Sequence, residues 1–201
     1  MSEAFADLSA DRIVNFHDLR LEDGGRPVSG AAQFADGPWR AIEENHRFNA
    51  RLWDEEDLAR RTDVSDTEIA ASKRAIDRFN QGRNDAIERL DEALLARLPG
   101  KVAESARLNS ETAGSIIDRL SINALRLRAM RAQAQRSDAG KDHVVACELK
   151  VRRLLEQRED LKGCLDQLLA DCAAGRVRFK VYRQYKMYND PAFQGPKARG
   201  P

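Results

Sequence analysis

The chain has 201 residues, 42% apolar and 33% charged, with a formal net charge of +1. That length can bury a hydrophobic core without metal or disulfide support, and the mixture is that of a globular protein with a charged, helix-rich surface. A nucleic-acid domain is normally basic overall, which this chain is not, and no stretch approaches the roughly 20 apolar residues of a membrane helix.

Charge is unevenly distributed. Residues 1–100 carry 21 acidic and 14 basic side chains, and residues 101–201 carry 12 acidic and 20 basic, so the two halves are expected to attract each other within the fold. Residues 1–10 lack the basic start and apolar run of a signal peptide. Cys147, Cys164 and Cys172 fall in one predicted helix. There Cys164 and Cys172 lie about 12 Å apart at 1.5 Å per residue, too far for a disulfide. A reduced, cytoplasmic, bacterial protein is expected.

Residues 9–20 predict a short helix capped by Ser9, and residues 21–37, rich in Gly, Asp and Pro, a loop. The first long helix starts at Asp36-Gly37-Pro38, with proline in its first turn, and runs to about Arg61. The second opens at Ser65, where Glu68 completes a capping box, and runs to about Leu98 before Pro99-Gly100. The third opens between Ser110 and Ser115 and fades at 137–140; the fourth spans about 141–174 and stops at Gly175. In the fourth, Val144, Cys147, Val151, Leu154, Arg158, Leu161, Leu165, Leu168 and Cys172 hold an unbroken 3-4 spacing with one charged position, Arg158. That seam serves a bundle or a homodimer equally well. Ile69, Ile76, Phe79, Ile87, Leu90, Leu94 and Leu98 mark one face of the second helix. Residues 176–182 alternate too briefly to found a sheet. The predicted fold is all-α: an up-down antiparallel bundle of four long helices with short connections, a short N-terminal helix, and a basic, aromatic tail packed on it. The expected organisation is an N-terminal helix and loop arm over 1–37, one bundle domain over 38–191 and a flexible end over 192–201.

Polar side chains interrupt the core pattern. Trp39, Ile42, His46, Asn49, Trp53, Glu56, Asp57 and Arg60 share an arc of about 100° on the first long helix. Burying such groups is costly unless they pair with each other or with a ligand. Arg83 interrupts the second helix's stripe, with Asn80, Asn84 and Asp91 at its border, and Asn123 interrupts the third. The third helix opens on Asn109, Ser110, Glu111, Thr112 and Ser115, a run rich in hydroxyls and free amides. Together these could line one interhelical pocket in which Arg60, Arg83 and a helix N-terminus suit an anionic ligand such as a phosphate. The alternative is a hydrogen-bond and ion-pair network that only sets helix register. His17 and His143 have no setting comparable to that of His46.

Spacing tests specific chemistries. Glu43-x-x-His46 is one Glu-x-x-His pair, whereas a di-iron bundle needs two plus further glutamates. Glu55-Glu56-Asp57 followed by Glu88-x-x-Asp91 resembles the carboxylates with which all-α nucleoside triphosphate pyrophosphohydrolases hold Mg²⁺. The gap between the pairs is wide for that pattern, and Glu88 lies off the apolar stripe. Glu56, Glu88 and Asp91 are thus weak metal candidates. No Walker loop, dinucleotide fingerprint, zinc spacing or serine-nucleophile motif occurs. Residues 175–201 carry seven basic groups against one acidic, interleaved with Phe179, Tyr182, Tyr185, Tyr188 and Phe193. Such a pattern can bind single-stranded nucleic acid, but packing against the acidic N-terminal half is favoured.

Four segments carry a family likeness: His46-Arg-Phe-Asn49-Ala-Arg-Leu-Trp53-Asp-Glu-Glu56-Asp57-Leu-Ala-Arg60, Asn80-Gln81-Gly-Arg83-Asn84-Asp85, Leu108-Asn109-Ser110-Glu111-Thr112-Ala-Gly114-Ser115-Ile-Ile-Asp118-Arg119-Leu120-Ser121, and Tyr182-Arg183-Gln184-Tyr185-Lys186-Met187-Tyr188-Asn189-Asp190-Pro191. With them the chain resembles the bacterial domain-of-unknown-function family 4254 over roughly 40–191, departing from it at Ala113, where the family pattern has proline. The resemblance implies a helical, cytoplasmic protein, encoded by genes often found near those of glycosyltransferases of surface polysaccharide synthesis, with no activity to carry over. It adds Asp118 and Arg119 to the site candidates.

Three functions follow as expectations. The first is an accessory or binding protein whose pocket takes a nucleotide or sugar phosphate on His46, Asn49, Asp57, Arg60, Asn80, Arg83, Asn84, Asn109, Ser110, Glu111, Ser115, Asp118 and Arg119. The second is a hydrolase of such a ligand, with Glu56, Asp57 and Glu88 holding Mg²⁺ or His46 as general base. The third is a pure protein-interaction module.

Overall fold

The computed structural model describes residues 3–22, 33–98 and 105–184. The aromatic positions Tyr185, Tyr188 and Phe193, the Pro99-Gly100 stop and most of the 21–37 loop lie outside the described residues. Within them the chain is mostly helical: a short 3-10 turn at Glu3–Phe5, α1 (Ala10–Glu22), α2 (Gly37–Ala59), α3 (Asp66–Leu95), α4 (Ala113–Ala134) and α5 (Lys141–Ala173).

Local chemistry accounts for the helix ends. Pro38 occupies the first turn of α2. At α3 the capping box forms as its residues dictate: the Ser65 hydroxyl accepts from the Glu68 amide at 3.3 Å, and the Glu68 carboxylate accepts from the Ser65 amide at 2.9 Å. The cap of α4 is Thr112, whose Oγ1 accepts from the Ser115 amide at 3.1 Å. After α5, Gly175 adopts φ +69°, its amide donating to Cys172 and the Arg176 amide to Asp171. This paired closure needs a left-handed residue, for which glycine pays no Cβ penalty. It sends the chain back beside the segment before α4, where β1 (Arg107–Leu108) and β2 (Val177–Arg178) form a two-residue parallel ladder. The alternation at 176–182 therefore does pair, over two residues only.

Contacts between successive long helices run in opposite residue order. Glu44 of α2 meets Arg89 of α3, and Arg51 lies over the Phe79 ring. Gly82 of α3 allows the Phe48 ring closer than a side chain would, since a Cβ there falls 2.3 Å from it. Asp91 and Arg83 of α3 meet Gly114 and Asp118 of α4. Gln133 and Asn123 of α4 meet His143 and Leu154 of α5.

One principal core joins all five helices, built on Leu8, Ile13, Ile42, Leu90, Leu94, Ile117, Leu120 and Leu165 and closed by Val177 and Phe179. The short α1 is thus part of the core, with Phe16 edge-on to Trp39 at 5.6 Å. Attraction between the two halves is realised in Asp18–Arg158, Asp11–Lys162 and the Arg183 pairs with Glu88 and Glu92. The α5 seam is buried from Arg158 onward, but at its N-terminal end Val144, Val151 and Leu154 are only half-buried; off the seam, Val145 and Leu149 are exposed.

Candidate functional site

The polar arc of α2 is buried over its first half only. His46 and Asn49 are buried, whereas Glu56, Asp57 and Arg60 are exposed, because α2 continues past the packed core. The buried half feeds one network centred on Asp118, a carboxylate of α4 that is 3% exposed. Its Oδ1 accepts from Asn45 at 2.8 Å, Asn49 at 2.9 Å and Arg83 Nε at 2.8 Å, and its Oδ2 from Arg83 Nη2 at 2.5 Å. Asn49 also donates to Ser121 Oγ at 3.0 Å, and that hydroxyl meets His46 Nδ1 at 2.8 Å. The carboxylate holds the Arg83 guanidinium further toward its charged form and leaves its Nη1 without a hydrogen bond among the described residues. An unbroken hydrogen-bonded path therefore runs from the buried imidazole of His46 to a half-buried guanidinium.

Behind His46 lies His17 of α1. The two rings stack at 4.6 Å and 19°. Both nitrogens of His17 and Nε2 of His46 are buried without a hydrogen-bond partner among the described residues. Burial pushes the His46 imidazole down to about 4, with Asp18 opposing and Arg20 adding to the shift. Burial, then His46 and Arg158, holds His17 well below the ordinary histidine range. His17 therefore shares the setting of His46, against the sequence expectation. Its signal was the i, i+4 spacing of Ile13, His17 and Leu21 on the apolar face of α1. Beside the pair, Arg158 donates to both oxygens of Asp18 and to Asn123, so the one charged seam position is fully engaged. Glu43 is occupied too, accepting from Arg20 and from the amides of Gln33 and Phe34.

The network reaches the surface in a groove of about 290 Å³ lined by Asn49, Leu52, Trp53, Glu56, Arg60, Asn80, Arg83, Ile122, Leu125 and Arg126. Three guanidinium groups border it: Arg60 at the end of α2, Arg83 on α3 and Arg126 on α4. Arg60 is tied to Glu56 and Asp57, and Arg83 to Asp118. Arg126 is exposed and makes no ion pair among the described residues. Sequence reasoning missed Arg126, since an arginine on a solvent-facing helix position carries no signal until a groove forms beside it.

The remaining candidates assemble elsewhere. Asn84, Glu88, Asp91, Ser110, Thr112 and Ser115 line a second hollow of about 310 Å³, closed by residues 181–184. There the Asp91 carboxylate accepts from the Gly114 amide at 2.7 Å, and burial raises it to about 6 against the lowering effect of Thr112 and Gly114. Asn84 donates to Gln184, and Glu88 accepts from Arg183 and the Gln184 amide. Asn109 donates to the Glu111 carbonyl, while Glu111 and Arg119 pair at the surface, outside both cavities. The candidates that the sequence placed in one pocket thus line two separate cavities among the described residues. Glu56 lies at one cavity, Glu88 and Asp91 at the other, and among the described residues no three His, Cys, Asp or Glu side chains are grouped to hold a metal ion.

These features define a mostly helical protein whose buried polar core opens on a cationic groove. The chain belongs to the family described as "Protein of unknown function (DUF4254)", which matches residues 39–181. That span contains the whole Asp118 network and every residue of the cationic groove; His17 lies outside it. No curated protein and no solved structure gives a significant match. No helix among the described residues is long and apolar enough to cross a membrane.

Proposed function

We propose that this protein is a cytoplasmic binding or accessory protein, that α2–α5 form an up-down antiparallel bundle, and that the groove between α2, α3 and α4 takes a small phosphate-bearing ligand. The observation that carries the reading is that three arginines, one of them without an ion-pair partner among the described residues, line one groove with Asn80 and Trp53. Arginine forks match phosphate oxygens bidentately. Here Asp118 pins Arg83 from behind through Nε and Nη2, so little side-chain entropy remains to be lost on binding. A nucleotide or sugar phosphate fits this chemistry, in keeping with the glycosyltransferase gene neighbourhood implied by the family resemblance. His46 acts from behind the groove, orienting Ser121 and, through it, Asn49.

Thermal-shift titration of the full chain against inorganic phosphate, nucleotides and sugar nucleotides tests the reading. A ligand at 100 times its dissociation constant adds about 2.7 kcal/mol of stability. Because Arg126 is exposed, Arg126→Gln should fold normally and weaken the response at least fivefold. A panel without any stabilising phosphate compound, or a hit unchanged in both Arg126→Gln and Arg83→Met, refutes it.

A further inference from the structure

We infer that the ligand of this groove is an amphiphile: a phosphate carrying an apolar chain, which continues from the cationic groove into a neighbouring apolar trough. This rests on the phosphate-binding reading above and deepens it. A concavity of about 540 Å³ lies between α2, α4 and α5, walled by Trp53, Met130, Leu149 and Leu154 and rimmed by Arg126, Lys150 and Arg153. Its size falls within the range of about 300–1,000 Å³ typical of small-molecule sites. Trp53 and Arg126 line both this trough and the cationic groove, so the two share a wall and one ligand can occupy both.

Two features argue for that occupant. Every charged residue lining the trough is a cation, and neither Arg126 nor Lys150 has an ion-pair partner among the described residues. A wholly neutral ligand would leave that rim unused. On α5 the apolar wall comes from Leu154, a half-buried seam position, and from Leu149, which lies off the seam and stands 52% exposed. Neither side chain is fully covered by the other elements among the described residues. Exposed Arg152, Arg153 and Glu156 interrupt this face, which narrows it to a strip suited to a chain rather than to a protein surface, whose stable interfaces bury about 1,200 Å² or more.

The test is a series of ethyl, butyl, hexyl and octyl phosphates, below their micellar concentrations, titrated calorimetrically into the full chain, with octanol as the neutral control. Affinity should rise about fifteenfold from hexyl to octyl phosphate, as expected for burying two methylenes at about 0.8 kcal/mol each, and octanol should bind far more weakly. Leu149→Glu, at an exposed position, should abolish the chain-length dependence while retaining ethyl phosphate binding. Ethyl and octyl phosphate binding equally would overturn the amphiphile and leave the phosphate groove standing. Failure of every phosphate would remove both readings. Octanol matching octyl phosphate, or chain dependence unchanged in Leu149→Glu, would also overturn the proposal. Vesicles of phosphatidic acid in phosphatidylcholine then separate the sources: co-sedimentation assigns the chain to a bilayer lipid, and octyl phosphate binding without co-sedimentation to a free amphiphile.

Discussion

Replacing Asp118 with alanine removes the acceptor of four hydrogen bonds at once. Breaking a buried ion pair by deleting one partner costs about 3–5 kcal/mol, and each buried donor left unsatisfied about 1–3 kcal/mol. The Arg83 side chain is 27% exposed and can turn to water, which draws its share toward the low end. Asn49 keeps Ser121 as an acceptor, but Asn45, at 0% exposure, has no such escape. The expected loss for Asp118→Ala is therefore about 4 kcal/mol, a large part of the 5–15 kcal/mol that holds an ordinary domain together. Arg83→Met should cost less, about 1–3 kcal/mol, because the carboxylate keeps its two amide donors. Urea unfolding followed by Trp39 and Trp53 fluorescence measures both, and the double variant closes a cycle in which the pair should couple by at least 1 kcal/mol. A loss below about 1 kcal/mol for Asp118→Ala, or strict additivity in the cycle, would refute the network as the centre of the polar core.

Acid stability follows from three buried groups. His17 and His46 are held below the ordinary value of 6.5, so the folded state binds fewer protons than the unfolded one, and their contribution is lost as pH falls through 6.5 toward about 4. Asp91 is raised from 3.8 to about 6, so the folded state takes up its proton earlier, and this offsets one histidine over that window. One proton's worth of destabilisation remains, about 1.4 kcal/mol per pH unit. Between pH 6 and 4.5, His17→Phe should flatten the dependence and Asp91→Asn should roughly double it; a His17→Phe profile parallel to the parent's would show that the stacked rings do not titrate as described. Gly82→Ala should destabilise by about 1–3 kcal/mol although alanine is the better helix former, since its Cβ would lie 2.3 Å from the Phe48 ring. Thermal unfolding with and without Phe48→Leu checks this, because the smaller side chain should restore much of the loss.

The long helices were legible in the sequence, each within about three residues of its ends, because their limits depend on neighbours in the chain. Ser65 and Glu68 cap α3 through bonds three residues apart, and Gly175 ends α5 through its own backbone freedom. The polar core was partly legible for a related reason: a helix repeats every 3.6 residues, so His46 and Asn49 betray themselves by standing where apolar residues belong. Periodicity says which side chains share a face but not where a neighbouring helix stops covering it. That is why His46 and Asn49 are buried while Glu56, Asp57 and Arg60 on the same arc meet solvent. Nor does it say what meets across helices. The stacking of His17 on His46 joins residues 29 positions apart, and the Asp118 network closes only when Arg83 of α3 reaches Asp118 of α4. The same limit applies to Arg126, an unremarkable surface arginine along the chain that acquires a role only where α2, α3 and α4 leave a groove beside it. Short-range backbone chemistry determined the helices from the sequence alone; the pairing of distant side chains, and with it the shape and charge of every cavity, was decided only when the helices packed.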